Sequence, residues 1–490
     1  MMKFSTSLFA ITAIILFALP GCTVGPDYKK PETTLPQNWV STDKSGAATI
    51  DQAWWQNFHD PILTQLIEKA AAGNPDLKIA EMRIKEARAT RSQADATLLP
   101  SGDFKATGER EANQIAFPGK FPGANLATPF DVFQSGFDAT WELDLFGGHR
   151  RDIESANASL EASEASRDDA MVSLMAEVAR TYIDIRQYQA QLATAEDTVE
   201  ADRNTVAIAK ERFEAGDAPQ LDMTQAQAQQ EQDEAQVPYQ RNMLAQAEFS
   251  MDVLLGAQPG ATKSIVDTPA PIPTSDKELV LAAPAAVIAN RPDIRVAERK
   301  LAAATAQQGV AVAKFFPDIS LSGFAGFLNV HADDLLRRQS ESWMMGGSVV
   351  WPILSYGTLS ANLDAANAEQ QEAMANWQKT VITALIDVEK SVKAYSEQEQ
   401  FRESLAHSLD ADRHAADIAG ERYKEGITSF LEVLDARRTL YVAQNHATEA
   451  DAKAAQNLVA VYKSLGGGWQ APGQTSATTS APVPAATKTP

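Results

Sequence analysis

From Arg151 to Glu214 the chain runs for 64 residues without a proline or a glycine. Within that run Met171, Val178, Ile185, Leu192, Val199, Val206 and Phe213 recur at intervals of seven. An apolar period of about 3.5 residues predicts a helix in left-handed supercoiled contact with a partner. At about 1.5 Å per residue such a helix extends roughly 96 Å, more than a globular core requires. The companion positions are mostly Ala, Thr or Tyr, so the seam is less regular than a two-stranded zipper. Gly216 and Pro219 break the helix, and Leu221 to Leu255 is expected to return antiparallel. Pro238 lies inside that return; lacking an N–H and crowding the carbonyl four residues back, it predicts a bend.

The pattern is written twice. Glu211 to Met223, ERFEAGDAPQLDM, has a counterpart 210 residues on in Glu421 to Val433, ERYKEGITSFLEV. Asn74-Pro75-Asp76-Leu77 matches Arg291-Pro292-Asp293-Ile294, and Leu98-Leu99-Pro100 matches Phe315-Phe316-Pro317, at an offset of 217. Ala156-Asn157-Ala158 matches Ala366-Asn367-Ala368, and Leu255-Gly256 matches Leu465-Gly466, at 210. The seven-residue difference falls between Pro100 and Phe146, where a variable loop belongs. A repeat of this length makes a pseudo-symmetric subunit, not a short-period solenoid. Each copy reads as a helix, a β-hairpin, a very long helix, a glycine turn and a returning helix. The copies cover 61–256, with a hairpin at about 102–144 and a helical hairpin at about 151–255, and 289–468, with a hairpin at about 318–351 and a helical hairpin at about 359–465. Residues 257–288 link them.

The hairpins carry alternation. Phe137, Ala139, Trp141 and Leu143 alternate with polar neighbours, as do Ile319, Leu321, Gly323, Ala325 and Phe327, and the last strand runs through Met345, Gly347 and Val349. Strands of about ten residues have the length that crosses a bilayer when tilted. A sheet facing lipid must close, because unpaired edge amides and carbonyls are prohibitive in hydrocarbon. Four strands do not make a barrel; two chains would supply eight and three would supply twelve. The same pattern also fits two hairpins capping a water-soluble bundle, with Trp141, Trp343 and Trp351 as core aromatics.

Residues 1–21 place Lys3 before an apolar segment from Leu8 to Leu19, the length of a signal-peptide core. Cys22 follows immediately, the single cysteine of the chain and so without an internal disulfide partner. The tail from Pro472 onward, within 469–490, is mainly Ala, Pro, Thr, Ser and Lys and reads as disordered. A net charge of −21 with no Lys/Arg-rich face argues against nucleic acid as a partner. With 22% charged residues and a mean hydropathy of −0.25, the chain is unlike a polytopic helical membrane protein.

The pattern holds no catalytic set. His59, His149, His331, His407, His414 and His446 form no metal-ligand spacing. Gly466-Gly467-Gly468 lacks the Lys-Ser/Thr of a phosphate loop. The expectation is a protein that is not an enzyme and needs no cofactor or metal.

Leu19-Pro20-Gly21-Cys22 resembles a bacterial lipoprotein processing box, which implies cleavage before Cys22 and covalent lipid on it. Thr23, in place of an Asp, favours the outer membrane. Cys22-Thr23-Val24-Gly25-Pro26-Asp27-Tyr28, Trp54-Trp55 with Phe58-His59-Asp60-Pro61, Asn290 to Ile294 and Glu421 to Gly426 follow one another as in the outer membrane efflux protein family. Nearly everything from Cys22 to Gly468 resembles its lipoprotein subfamily, which serves resistance-nodulation-division pumps.

The resemblance implies a mixed α and β membrane protein: a homotrimer with a shared twelve-stranded outer-membrane β-barrel, continuous with a long periplasmic α-helical barrel. An equatorial collar would draw on the segments near Tyr28 to Phe58, Gly256 to Ile288 and after Leu465. Partners would be a periplasmic membrane fusion protein, an inner-membrane resistance-nodulation-division transporter and outer-membrane lipid. Arg212, Phe213 and Gly216, with Arg422, Tyr423 and Gly426, would form periplasmic tips that meet the adaptor. Glu432 and Asp435, with Asp222 and Gln225 at the equivalent places, would narrow the periplasmic entrance, where carboxylates repel one another and attract cations. The function implied is a passive exit channel for drugs, solvents or metal ions. A duct for an ABC-type or protein secretion assembly and a non-channel coiled-coil scaffolding lipoprotein remain the alternatives.

Overall fold

The computed structural model describes residues 23–33, 35–41, 45–46, 50–111, 129–275 and 280–469. The signal segment, Cys22, most of the first hairpin link and the C-terminal tail lie outside them. The first copy contains α1 (Pro61–Gly73), α2 (Pro75–Ala96), β1 (Ser101–Glu111), β2 (Phe130–Leu143), α3 (Gly148–Ala215), α4 (Gln220–Glu234) and α5 (Gln236–Leu255). The second contains α6 (Pro284–Asn290), which begins inside the stretch the sequence assigned to the link, α7 (Pro292–Ala313), β3 (Asp318–Asn329), β4 (Glu341–Val350), α8 (Tyr356–Lys424) and α9 (Phe430–Ser464). Among the described residues, no helix is long and apolar enough to cross a membrane.

Local chemistry sets the boundaries. The Asp60 carboxylate accepts from the amides of Ile62 at 2.8 Å and Leu63 at 3.1 Å and so caps α1, with Pro61 at its first position. The Asn74 side chain starts α2 in the same way and also donates to the carbonyl of Leu254 at 2.8 Å. In the second copy Arg291 replaces it, donating to the equivalent carbonyl of Ser464 at 2.7 Å. One backbone junction is thus held by two different side chains. Pro238 separates α4 from α5 at Ala235, because its ring leaves the carbonyl of Glu234 without an amide. The second copy has no proline there, and α9 runs unbroken.

The chain divides into two compact units. The first comprises the described parts of Met1–Pro31, Arg83–Ser163 and Ala297–Trp377. It holds an antiparallel sheet in the order β1-β2-β3-β4, so the hairpins of the two copies share one sheet. Register places Phe104, Phe137, Ala325 and Trp343 in one row and Ala139, Gly323 and Met345 in another. These rows make one face apolar, while Asp103, Lys105, Asp138, Thr140, Ser320, Ser322 and Ser348 alternate with them on the other, which also carries Phe324 and Met344. Phe137 is 67% exposed, Trp343 80% and Met345 82%, so the apolar face has no cover among the described residues. Trp343 and Trp351 are therefore exposed aromatics, which corrects the alternative that made them core residues. The indole of Trp141 donates to the carbonyl of Leu98 at 2.9 Å, and that of Trp351 to the carbonyl of Phe315 at 3.1 Å. Both donors and both acceptors are repeat equivalents.

Gly136 faces Gly326 across β2 and β3. A Cβ on Gly136 would lie 2.7 Å from the Cα of Gly326, so the two strands need both glycines. The Phe324 ring closes over the gap.

The N-terminal stretch is divided between the units. Tyr28 belongs to the first, where its hydroxyl donates to Glu298 at 2.9 Å and the Arg299 guanidinium lies 5.3 Å from its ring. The residues from Glu32 onward belong to the second.

That second unit comprises the described parts of Glu32–Met82, Glu164–Val296 and Gln378–Pro490. Trp54, Trp55, Phe58, Leu63, Leu66 and Ile67 pack with Met175, Val178, Tyr182 and Ile185 of α3 and with Met251 and Tyr462. The heptad positions Met171, Val178, Ile185 and Val199 are buried, whereas Phe213 at the end of the row is 38% exposed. Trp39 packs on Leu281, Ala282 and Val461 and donates to the carbonyl of Ala282 at 2.8 Å, beside a two-residue parallel pairing of Ser45–Gly46 with Leu281–Ala282. The linker and the chain start are thereby fastened to the bundle. Arg186 is fully buried, yet it donates to the Tyr182 hydroxyl at 2.9 Å, to Gln189 at 2.7 Å and to the Thr268 carbonyl at 2.8 Å. Tyr182 in turn donates to Asp60 at 2.6 Å, so the buried cation reaches a carboxylate through one hydroxyl.

Candidate hairpin-tip and entrance site

Both long helices end in one motif. The Gly216 amide donates to the Phe213 carbonyl at 3.0 Å and that of Asp217 to the Arg212 carbonyl at 2.8 Å. Gly426 and Ile427 repeat this on Tyr423 at 3.0 Å and Arg422 at 2.9 Å. These are the paired bonds of a Schellman turn, which needs a left-handed residue; φ is +82° at Gly216 and +76° at Gly426. The geometry accounts for the glycine; the arginine and the aromatic supply only backbone carbonyls to the turn, so their side chains answer to other contacts.

The two tips meet. Arg212 donates through Nη1 to the Tyr423 carbonyl at 2.5 Å, and its guanidinium lies 4.7 Å from the centre of the Tyr423 ring. A Cβ on Gly426 would stand 3.6 Å from the Arg212 guanidinium. Tyr423 also meets Phe430 edge-on at 5.6 Å within a small core of Ala209, Ala226, Phe430 and Val433. At 4% exposure, the Tyr423 side chain supports the tip from inside. Burial, then the Asp222 carboxylate, pushes the pKa of its phenol above the ordinary tyrosine value, with Arg212 acting against them. Arg422 and Phe213, the repeat counterparts of Arg212 and Tyr423, are exposed instead.

The acidic residues lie just past the turns. Glu432 and Asp435 are exposed on α9, with Phe430 and Val433 buried on its opposite side. Thr428 donates its hydroxyl to Glu432, holding that carboxylate at the first turn of α9, where the helix N-terminus favours negative charge. Asp222 and Gln225 are half-buried at the equivalent places on α4.

Three features of this end have only weak sequence signals. Leu221 and Leu431, equivalent by the repeat, are 62% and 63% exposed beside the turns; two matched leucines that no helix pattern requires are the trace they leave. Arg437 donates to the Ala201 carbonyl at 2.9 Å and to the Thr205 hydroxyl, and Arg438 to Gln229 at 2.7 Å, so both arginines tie α9 to the first hairpin. Asp202 is buried beside the Asp233 carboxyl, with Arg437 at 3.7 Å. Burial, followed by the neighbouring acid, pushes Asp202 up to about 7 against the pull of Arg437.

The sequence profile described as outer membrane efflux protein matches residues 66–257 and 283–467, one stretch for each copy. The chain belongs to this family. It is an outer-membrane efflux protein of mixed α and β structure, internally duplicated. It is 31% identical to the solvent efflux pump outer membrane protein SrpC of Pseudomonas putida over 96% of this chain and 99% of that one. Among solved structures, it matches the outer-membrane channel OprN with a TM-score of 0.84 and 33% identity, over 91% of this chain and all of that one. The open state of the Neisseria gonorrhoeae MtrE outer membrane channel gives 0.77 and 28%, over 93% and 100%. The efflux family places the sheet's uncovered apolar face in an outer-membrane setting, where lipid is its natural cover.

Proposed function

We propose that three copies assemble into a passive outer-membrane exit duct of a tripartite efflux system. Each copy contributes its four strands to one twelve-stranded barrel. The single observation that carries this reading is the sheet itself. It has one apolar and one mostly polar face and two edge strands, β1 and β4, whose outer backbone groups find no neighbour strand among the described residues. Pairing β4 of one copy with β1 of the next satisfies both edges, turns the apolar rows to lipid and leaves the polar face lining a bore.

In this reading the lipid on Cys22 anchors the chain start. Arg212, Phe213 and Gly216, together with Arg422, Gly426 and the exposed Leu221 and Leu431, form a rim for a periplasmic membrane fusion protein. Tyr423 stiffens that rim from within, and an inner-membrane resistance-nodulation-division transporter drives export. Glu432 and Asp435, with Asp222 and Gln225, line the entrance and favour cations. The duct performs no catalytic step and carries no cofactor beyond its lipid. The exported class is small organic molecules, as the likeness to a solvent efflux pump protein suggests.

The test is the native mass of the detergent-solubilised protein, followed by planar-bilayer recording. A three-chain particle with stepwise conductance is expected. A single-chain particle, or a trimer with no conductance under any adaptor or pH condition, rejects the duct.

A further inference from the structure

Within one chain the two tips interact in only one direction. Arg212 of the first tip grips the second, stacking on the Tyr423 ring and donating to its carbonyl. The repeat supplies the same parts again: Arg422 is the counterpart of Arg212, and Phe213 that of Tyr423. Among the described residues, both members of the second set lack such a contact. Arg422 is exposed, and no described residue gives it an ion pair or a ring; Phe213 is 38% exposed against 4% for Tyr423. The turns that carry them have matching hydrogen bonds and matching glycine φ values, so the backbone presents both pairs alike.

We propose that Arg422 of one copy stacks on Phe213 of the next and donates to its carbonyl, so that the contact seen inside the chain recurs between chains. The partner is a second copy of this chain. Direction is preserved: each tip's arginine reaches forward to the aromatic of the following tip, and three chains close a ring of six such contacts, three within chains and three between them. The inference rests on the trimeric reading above and adds to it the residues by which the tips of neighbouring copies recognise one another. An arginine over an aromatic face gains from the ring quadrupole, more so where the pair is shielded from water. Phe in place of Tyr costs the contact little, because the stacking face is the same.

The experiment uses the full-length chain bearing Phe213→Cys and Arg422→Cys, treated in detergent with a short bismaleimide. The parent chain, with its own Cys22, and each single variant serve as controls, and native mass is measured on every sample. Covalent dimers and trimers in the double variant alone are expected. A three-chain native mass with no covalent species above the controls overturns this inference while leaving the trimer intact; a single-chain native mass removes both. A second readout does not depend on cross-linking geometry. Phe213→Ala, Arg422→Ala and the pair together should each shift the closed-to-open ratio in single-channel records by the same factor, about two- to fivefold. Independent, multiplying effects would show that the two side chains do not meet.

Discussion

The Arg212 guanidinium lies 4.7 Å from the centre of the Tyr423 ring while its Nη1 donates to the Tyr423 carbonyl at 2.5 Å, so one side chain joins two helix ends 211 residues apart in sequence. A charge-assisted hydrogen bond plus a stacked guanidinium contributes about 1–3 kcal/mol. Arg212→Met should therefore loosen both tips without unfolding the bundle. Amide exchange at Gly216, Asp217, Gly426 and Ile427 should speed up by about tenfold or more. Arg212→Lys should recover part of the protection, since it keeps the charge and loses the planar stack.

In the proposed duct, Glu432 and Asp435 would bear on selectivity. Replacing them as Glu432→Gln with Asp435→Asn removes two carboxylates from each chain while leaving the buried Phe430 and Val433 untouched. Cation preference, read as the reversal potential across a salt gradient, should fall, and adding Asp222→Asn should lower it further. An unchanged reversal potential would take these side chains out of the entrance.

The buried acid predicts a pH dependence. Asp202 is pushed up to about 7 in the folded chain, against an ordinary carboxylate value near 4 when unfolded. Between those values the folded state holds a proton that the unfolded state has lost, so this group's contribution to stability falls as pH rises from about 4 to about 7. Asp202→Asn mimics the protonated form. The difference in Tm between pH 5.5 and pH 8 should be smaller in the variant than in the parent, with the variant gaining most at the higher pH.

The glycine pair in the sheet is a steric requirement. Gly136→Val should drive its side chain into the Gly326 backbone, where even a Cβ would stand 2.7 Å from the Cα. Loss of the assembled, SDS-resistant particle is expected, with the helical content by circular dichroism largely kept. Gly346→Ala, at a position where a Cβ meets nothing closer than 3.9 Å, should assemble normally.

Arg186 predicts a cost to the bundle core. Its removal as Arg186→Ala leaves the Thr268 carbonyl and the Gln189 side-chain oxygen without their donor and opens a void, and should destabilise the protein by about 3 kcal/mol. Arg186→Lys should recover only part of that, because one ammonium does not reach all of the acceptors. Denaturant midpoints of the three proteins give the ranking.

The duplication, the long helices and the two-faced strands were legible because each is written in local order: a spacing of seven, an alternation of two, a glycine at a turn. Pro238 located the break in the first return helix for the same reason, since its effect is confined to one turn. What the chain brings together from afar left little trace. Tyr423 and Phe213 occupy equivalent letters, yet one is buried and the other is not, because Arg212 covers only one of them. Asp202, Asp233 and Arg437 read as three more charges on polar helices until α3, α4 and α9 are packed. Arg291 doing the work of Asn74 shows the converse: the junction persists while the residue type does not, so identity between the copies understates their structural likeness.

The two indoles bonded to Leu98 and Phe315 have a mechanical consequence. With Trp141 and Trp351 each tethered to the carbonyl just beyond a helix, neither hairpin can slide along its own axis without breaking an indole bond. In a bilayer thinner or thicker than the apolar rows, a shift of the hairpins against their own helices is then closed off, and the mismatch falls on tilt of the whole particle or on the lipid around it.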